Sequence, residues 1–166
     1  LRRAVRKPDE KLLKKDVEQK NILITGAGGS IGSELSRQII KQNPRLLVLF
    51  DISEFALYSL DLELSDMNSN VRVISVLGDV TKGSRLKKIF EVFDIQTVYH
   101  AAAYKHVPMV EKNSIAGVRV NVFGTLACLQ TAIDTGVESF VFISTDKAVR
   151  PTNMMGATKR FAELIL

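Results

Sequence analysis

Ile22-Leu-Ile-Thr-Gly26-Ala-Gly28-Gly29-Ser30-Ile31-Gly32 decides the fold of this 166-residue chain. An apolar strand runs straight into a glycine-rich turn, and the helical spacing of Ile31, Leu35 and Ile39 begins at once behind it. In that order the glycines let backbone come close to a pyrophosphate, and the first N–H groups of the helix meet it at the positive end of the helix dipole. Gly26, Gly29 and Gly32 give a GxxGxxG spacing, while Gly28 also leaves a GxGxxxG reading open. Glycine spacing alone is weak evidence; strand, turn and helix in succession give it meaning. Gly26, Gly28, Gly29, Ser30, Ile31 and Gly32 are read as a phosphate cradle, against a purely structural turn.

Outward from this stretch, apolar runs alternate with helical patterns. Residues 21–25, 46–50, 71–76, 97–100 and 140–144 read as strands, mostly without polar alternation, as a sheet covered on both faces requires. Residues 30–42, 54–67, 83–93 and 114–135 carry helical spacing, and Thr158–Leu166 reads as a further helix with no stop signal. Strand-helix repetition with right-handed crossovers predicts an α/β doubly wound parallel sheet in the order 3-2-1-4-5. The last helix has no later strand to serve. The expectation is therefore a Rossmann domain over 21–166, a fragment of a longer enzyme that lacks its substrate-binding C-terminal part.

The net charge of +5 suggests nucleic acid only until it is located. Residues 1–20 hold eight Lys/Arg against four Asp/Glu, and the remaining residues hold 15 against 14. The body is nearly neutral, and no aromatic residues interleave the basic flank, so no nucleic acid is expected. Residues 1–20 read as a basic linker or helix, with an anionic or membrane-proximal contact as the sharper alternative. No run of 18 apolar residues and no secretory signal is present, which reads as a soluble, non-exported piece. Cys128, the single cysteine, lies among Leu126, Ala127, Leu129 and Ala132 and reads as a small core residue.

Asp51 closes the second strand, 25 residues beyond Gly26, where a carboxylate accepts from adenosine ribose hydroxyls. It would repel a 2′-phosphate, and Ile52-Ser53-Glu54 brings no Arg, so NAD is the expected cofactor. A helix cap is the alternative for Asp51, with Ser53 equally eligible. Asp79 and Val80 would flank the adenine; alone they signal only a turn. Ala101, Ala102 and Ala103 are small enough to let a cofactor lie on the strand end, and Lys105 and His106 follow as groups facing the nicotinamide or an anionic sugar nucleotide. His106 serves equally as a helix start. His100 reads as a hydrogen-bonded core residue rather than a catalyst, and Asn121 either as a buried inter-strand bridge near the site, placed to reach substrate, or as a solvent-exposed residue. No metal is expected.

Thr25-Gly-x-x-Gly-x-x-Gly32, Asp51, Asp79-Val80, Ala101–Ala103, Asn121-x-x-Gly124 and Lys159 together resemble the extended short-chain dehydrogenase/reductase family. More narrowly, residues 26–34, 101–108 and Ser144-Thr-Asp-Lys-Ala-Val-Arg-Pro-Thr-Asn-Met-Met-Gly-Ala-Thr-Lys-Arg160 look like the polysaccharide-biosynthesis UDP-N-acetylglucosamine 4,6-dehydratases. The resemblance implies a UDP-sugar substrate, oxidised at C4 by hydride transfer to NAD⁺, losing water across C5–C6 and regaining the hydride at C6. It assigns Thr145 to orienting the 4-hydroxyl, Asp146 to protonating the leaving 6-hydroxyl and Lys147 to removing the C5 proton. Asp146 then needs a raised pKa, and Lys147 a lowered one from desolvation and nearby Lys159. Lys159 is assigned to the nicotinamide ribose; the alternative for Lys159-Arg160 is an exposed helix face.

Met155 stands where the broad family carries a tyrosine base, and a thioether cannot take a hydroxyl proton. The resemblance reads Met155 as a subtype mark, with Lys147, Lys159 or an ordered water taking over. It also implies a membrane-anchored N-terminal region outside this chain, a cytoplasmic active site, and an isolated fragment that binds NAD without turnover. Other readings are 4-epimerisation, dehydration with C5 inversion, or a non-catalytic NAD-sensing domain. The apolar length of 114–135 fits core packing and a homo-oligomer contact equally.

Overall fold

A computed structural model describes residues 10–67 and 70–166. Five strands, β1 (Asn21–Thr25), β2 (Leu46–Asp51), β3 (Arg72–Leu77), β4 (Thr97–His100) and β5 (Ser139–Phe142), form one sheet in the order β3-β2-β1-β4-β5. Every pairing is parallel, with Ile22 opposite Leu47 and Thr97, and His100 opposite Thr25 and Phe142. Sheet order and class are those expected from the sequence. The reversal of strand order between β1 and β4 opens a crevice at the carboxyl edge, beside the glycine turn.

The unbroken apolar character of the central strands has a two-sided cause. Ile22, Ile24, Leu47 and Leu49 pack beneath α2 (Ser30–Ile40) and α3 (Glu54–Asp66) with Ile39, Ile40, Leu57, Leu60 and Leu64. Leu23, Val48 and Phe50 point the other way, onto Leu86, Ile89 and Phe90 of α4 (Gly83–Phe93) and onto Cys128 and Ala132. Period-two alternation therefore divides each strand between two cores. Cys128 is fully buried, and burial pushes its thiol up to about 12, as a core residue requires.

Residues 1–9 of the basic flank lie outside the described residues. Glu10–Val17 forms α1, Val17 is fully buried in the first core, and Thr97 Oγ1 donates to Asp16 O at 2.8 Å. This part of the flank is packed helix, not a linker, so the packed unit extends N-terminal of the expected boundary at residue 20.

α5 (Val107–Lys112) takes the helix-start reading left open at His106, its N-cap, and carries Pro108 in its first turn, where the missing N–H costs no bond. The expected helix over 114–135 spans Ser114–Asp134 as α6 (Ser114–Val118), a π-helical turn (Arg119–Gly124) and α7 (Thr125–Asp134). It is long and apolar enough to cross a membrane by length and composition, but Cys128, Thr131 and Ala132 are buried within the fold. The final helix, α8 (Met154–Ile165), begins four residues earlier than expected because Asn153 Oδ1 accepts from Gly156 N at 2.8 Å and caps it.

Candidate functional site

The glycine turn is built by contacts only glycine tolerates at two points. Gly26 sits at φ +66°, and a Cβ there would lie 2.6 Å from Ala102 N. A Cβ on Gly32 would lie 2.0 Å from Gly26 O. These approaches bring α2 hard against the end of β1. Gly29, at the N-cap, offers no side-chain cap, and the first closed helical bond runs from Ser33 N to Gly29 O. The N–H groups of Ser30, Ile31 and Gly32 precede it, and these three residues line the crevice. That is the cradle a pyrophosphate needs, and the residues present fit NAD.

Two cavities meet at Gly26, Gly29, Ala101, Ala103 and Tyr104. The smaller, about 250 Å³, is lined by Asp51, Ile52, Ser53, Gly78, Asp79 and Val80. Asp51 is buried; its Oδ2 accepts from Gly28 N at 2.9 Å and its Oδ1 from Ser53 N at 2.8 Å. The carboxylate thus braces the glycine turn while facing the cavity. Ser53, not Asp51, caps α3, accepting from Ala56 N at 3.3 Å. Asp79 Oδ1 accepts from Thr81 N at 2.8 Å, so it is both a turn residue and part of the wall.

The larger cavity, about 780 Å³, joins Ser30, Ile31 and Gly32 to Lys105, His106, Thr145, Lys147, Met155 and Lys159. Lys105 Nζ donates to Ser30 Oγ at 3.0 Å across the mouth of the glycine turn. His106 occupies the N-cap position of α5 through its backbone, the helix-start reading, and also lines the cavity.

The Thr145–Lys147 segment departs from expectation. Thr145 caps a short 3₁₀ turn over Asp146–Ala148, its Oγ1 accepting from Lys147 N at 3.3 Å and donating to Asp146 Oδ1 at 3.0 Å. Lys147 Nζ stands 3.5 Å from Asp146 Oδ1. Asp146 is 90% exposed and does not line the cavity, whereas Thr145 and Lys147 do. The Thr145 hydroxyl bond, then the Lys147 charge, hold the Asp146 carboxyl below its usual range, the opposite of the elevation expected. Lys147, half exposed, lacks the desolvation assigned to it.

Lys159 is the desolvated amine. It is 6% exposed, donates from Nζ to Ile143 O at 2.6 Å and stands 3.8 Å above the centre of the Phe142 ring. Burial pushes it down to about 8, against the opposing charge of Glu163. The alternative of an exposed helix face holds for Arg160 alone, which pairs with Glu163. Met155, one turn before Lys159, is buried in the cavity wall.

Asn121, expected to reach substrate, is buried and lines neither cavity. It is a buried bridge, as the sequence also suggested, but it joins a loop to a helix and not two strands. Oδ1 accepts from Tyr104 N at 2.8 Å, and Nδ2 donates to Tyr104 O at 3.0 Å and Thr158 Oγ1 at 2.9 Å. With these bonds made it ties the 101–106 loop to α8. Sequence reasoning missed Glu111, whose Oε1 accepts from Met154 N at 2.6 Å and docks α5 on the start of α8. It also missed Gly156, where a Cβ would lie 2.3 Å from Lys147 O. A glycine one residue after Met155 was the available signal for that close approach.

A parallel sheet with a glycine cradle, a strand-end carboxylate and a buried lysine on the following helix defines a Rossmann domain of the short-chain dehydrogenase/reductase type. Residues 22–166 match the sequence profile described as polysaccharide biosynthesis protein, and the chain belongs to that family. It is 43% identical over 159 residues to the capsular polysaccharide biosynthesis protein CapD of Staphylococcus aureus, covering 95% of this chain and 26% of that one. It is 34% identical over 141 residues to a Campylobacter jejuni UDP-N-acetylglucosamine 4,6-dehydratase (inverting), covering 84% and 40%. Among solved structures, DesIV, a dTDP-glucose 4,6-dehydratase from Streptomyces venezuelae crystallised with NAD, superposes with a TM-score of 0.77 at 25% identity, covering 87% and 50%. The chain thus spans between about a quarter and a half of these relatives.

Proposed function

We propose that this chain is the NAD-binding part of a UDP-N-acetylglucosamine-type 4,6-dehydratase of surface-polysaccharide synthesis. The observation that carries the reading is that Thr145, Lys147 and Lys159 share one cavity wall with the glycine cradle. Bound NAD⁺ would supply the hydride acceptor for the sugar C4. Thr145 orients the 4-hydroxyl, and Lys147 takes the C5 proton as the neutral amine that desolvation produces once the substrate half of the enzyme covers it. Asp146 delivers a proton to the leaving 6-hydroxyl once the substrate half of the enzyme covers it, because desolvation is what raises a carboxyl. Lys159 holds the nicotinamide ribose, and its lowered pKa suits it to accept the 4-hydroxyl proton that Met155 cannot. The isolated domain binds NAD without turnover. The reaction belongs to the cytoplasm, where nucleotide sugars and NAD are supplied, with any membrane anchor carried outside this chain.

Titration of the chain with both dinucleotides tests the cleft. NAD⁺ is expected to bind at least about tenfold tighter than NADP⁺, because Asp51 faces the ribose with a fixed carboxylate. Tighter NADP⁺ binding would overturn that role. Product analysis on the full-length protein tests the reaction: a 4-keto-6-deoxy sugar supports dehydration, and a 4-epimer alone rejects it.

The homo-oligomer belongs to the same reading. Ile115, Phe123, Leu126 and Ile133 on the Ser114–Asp134 helix, and Phe161 and Leu164 on α8, are exposed apolar side chains on helices that pack together. A second copy covers them most simply by pairing the same two helices. Light scattering is expected to give a dimer for the chain and a monomer for the Phe123→Glu, Phe161→Glu double variant. A monomer in both rejects the contact.

A further inference from the structure

His100 has no part in the chemistry above, yet its hydrogen bonds are determined completely. The ring is fully buried at the end of β4. Nδ1 is 2.7 Å from Thr25 Oγ1, and Nε2 is 3.0 Å from Thr125 Oγ1. Thr125 Oγ1 also lies 2.7 Å from Asn121 O, a carbonyl that can only accept. A hydroxyl has one proton, and that of Thr125 goes to Asn121 O. Thr125 can then only accept from His100, so Nε2 carries the ring proton. A neutral imidazole has no second one, so Nδ1 is bare and accepts from the Thr25 hydroxyl. The chain runs in one direction from Thr25 through His100 and Thr125 to the Asn121 carbonyl.

Each end of that chain holds a wall of the cleft. Thr25 directly precedes Gly26, and its oxygen lies 3.5 Å from Ala102 N. Asn121 clamps Tyr104 and, through Thr158, the helix of Lys159. On its flank the His100 ring stacks at 19° on Phe142, the ring beneath the Lys159 ammonium. The side-chain bond to Asn121 O also competes for a carbonyl inside the π-helical turn, the irregularity that carries Asn121.

We propose that His100 is a positioning residue: a neutral imidazole locked as the Nε2–H tautomer, which fixes the glycine turn, the 101–104 loop and the seat of Lys159 relative to one another. The inference rests on the reading of the cleft as a dinucleotide site. Burial, then the Lys159 charge, pushes His100 down to about 3, so the lock persists at any working pH. Lys159 is the charged group that faces the ring; Thr25 on β1, Thr125 on α7, and Phe140 and Phe142 on β5 bring no charge.

Long-range ¹H–¹⁵N spectra of the histidine-labelled chain test the tautomer without reference to any ligand. The expected result is the neutral Nε2–H pattern, unchanged from pH 5 to 9. An Nδ1–H pattern for the His100 ring, assigned against the spectrum of His106→Gln, or its titration between pH 5 and 7, would overturn the proposal even if NAD⁺ binds. Thr125→Val and Thr125→Ser supply the functional arm. Valine is expected to mix the tautomers, move the Lys159 midpoint seen by lysine NMR away from about 8 and weaken NAD⁺ binding about tenfold, with serine restoring all three. A valine variant with wild-type tautomer, midpoint and affinity rejects the positioning role. Failure of the wild-type chain to bind NAD⁺ would instead refute the reading of the cleft, leaving the tautomer result to decide the lock.

Discussion

Lys159→Met in a full-length protein is expected, on the proposed dehydratase reading, to lower turnover by about 10²–10⁴-fold, the range for losing a positioned proton-transfer group. The same substitution exposes what the site costs the fold. In the unfolded chain the amine titrates at the ordinary 10.5; in the folded one, at about 8. Between those values the unfolded state holds a proton that the native state has released, so stability rises with pH. The gain is fully present above 10.5 and is lost as the pH falls through 8. From pH 7.5 to 9.5 it amounts to about 2 kcal/mol, at 1.36 kcal/mol per unit of pKa difference. Cys128 and Tyr99 act in the opposite direction, since burial raises both and alkali then favours the unfolded chain. Comparing wild type with Lys159→Met by urea unfolding cancels both. The difference should increase in favour of the wild type by about that amount over this interval. Parallel pH profiles would show that Lys159 is not a desolvated ammonium at neutral pH.

Legibility follows how local each constraint is. The sheet was readable because Ile22–Ile24 and Leu46–Phe50 are apolar on both faces, a pattern only a covered parallel strand needs. The cradle, Asp51 and Ala101–Ala103 were readable because strand-turn succession places them at the sheet edge without further information. Lys159 announced itself by its spacing from Met155, but its burial beside Phe142 depends on where α8 lands on β5. Asp146 was expected to carry a raised pKa because its assigned role demands one, and adjacency to Thr145 and Lys147 says nothing about solvent. The 3₁₀ turn aims Lys147 at the cavity and leaves Asp146 outside its wall. Asn121 was marked as a bridge by its polarity among apolar neighbours, but its partner 17 residues away was not, and Glu111, acting across 43 residues, carried no local mark. The start of α5 stayed undecided at His106 because Pro108 fits a loop as well as the first turn of a helix.

Gly32→Ala is expected to remove measurable NAD⁺ binding, a loss of at least about 100-fold, and to destabilise the chain by about 2–3 kcal/mol. The added methyl would meet the Gly26–Ala27 backbone: Gly26 O at 2.0 Å, Gly26 C at 2.8 Å and Ala27 Cα at 2.8 Å. No side chain can rotate away, so either α2 lifts from β1 or the turn opens. Gly26 O also receives Gly29 N at 3.1 Å, and Gly26 leans on Ala102, so displacement at Gly32 spreads to the N-cap and to the 101–103 wall. The N–H groups of Ser30 to Gly32 then no longer converge on one anion. Gly136 provides the control. It too has a positive φ, +72°, but a Cβ there meets nothing within 4 Å. Gly136→Ala should cost about 1 kcal/mol through its backbone conformation alone and leave NAD⁺ affinity unchanged. Isothermal titration and urea unfolding of both variants separate the two effects. Wild-type affinity in Gly32→Ala would mean that the phosphates sit elsewhere than on the first turn of α2.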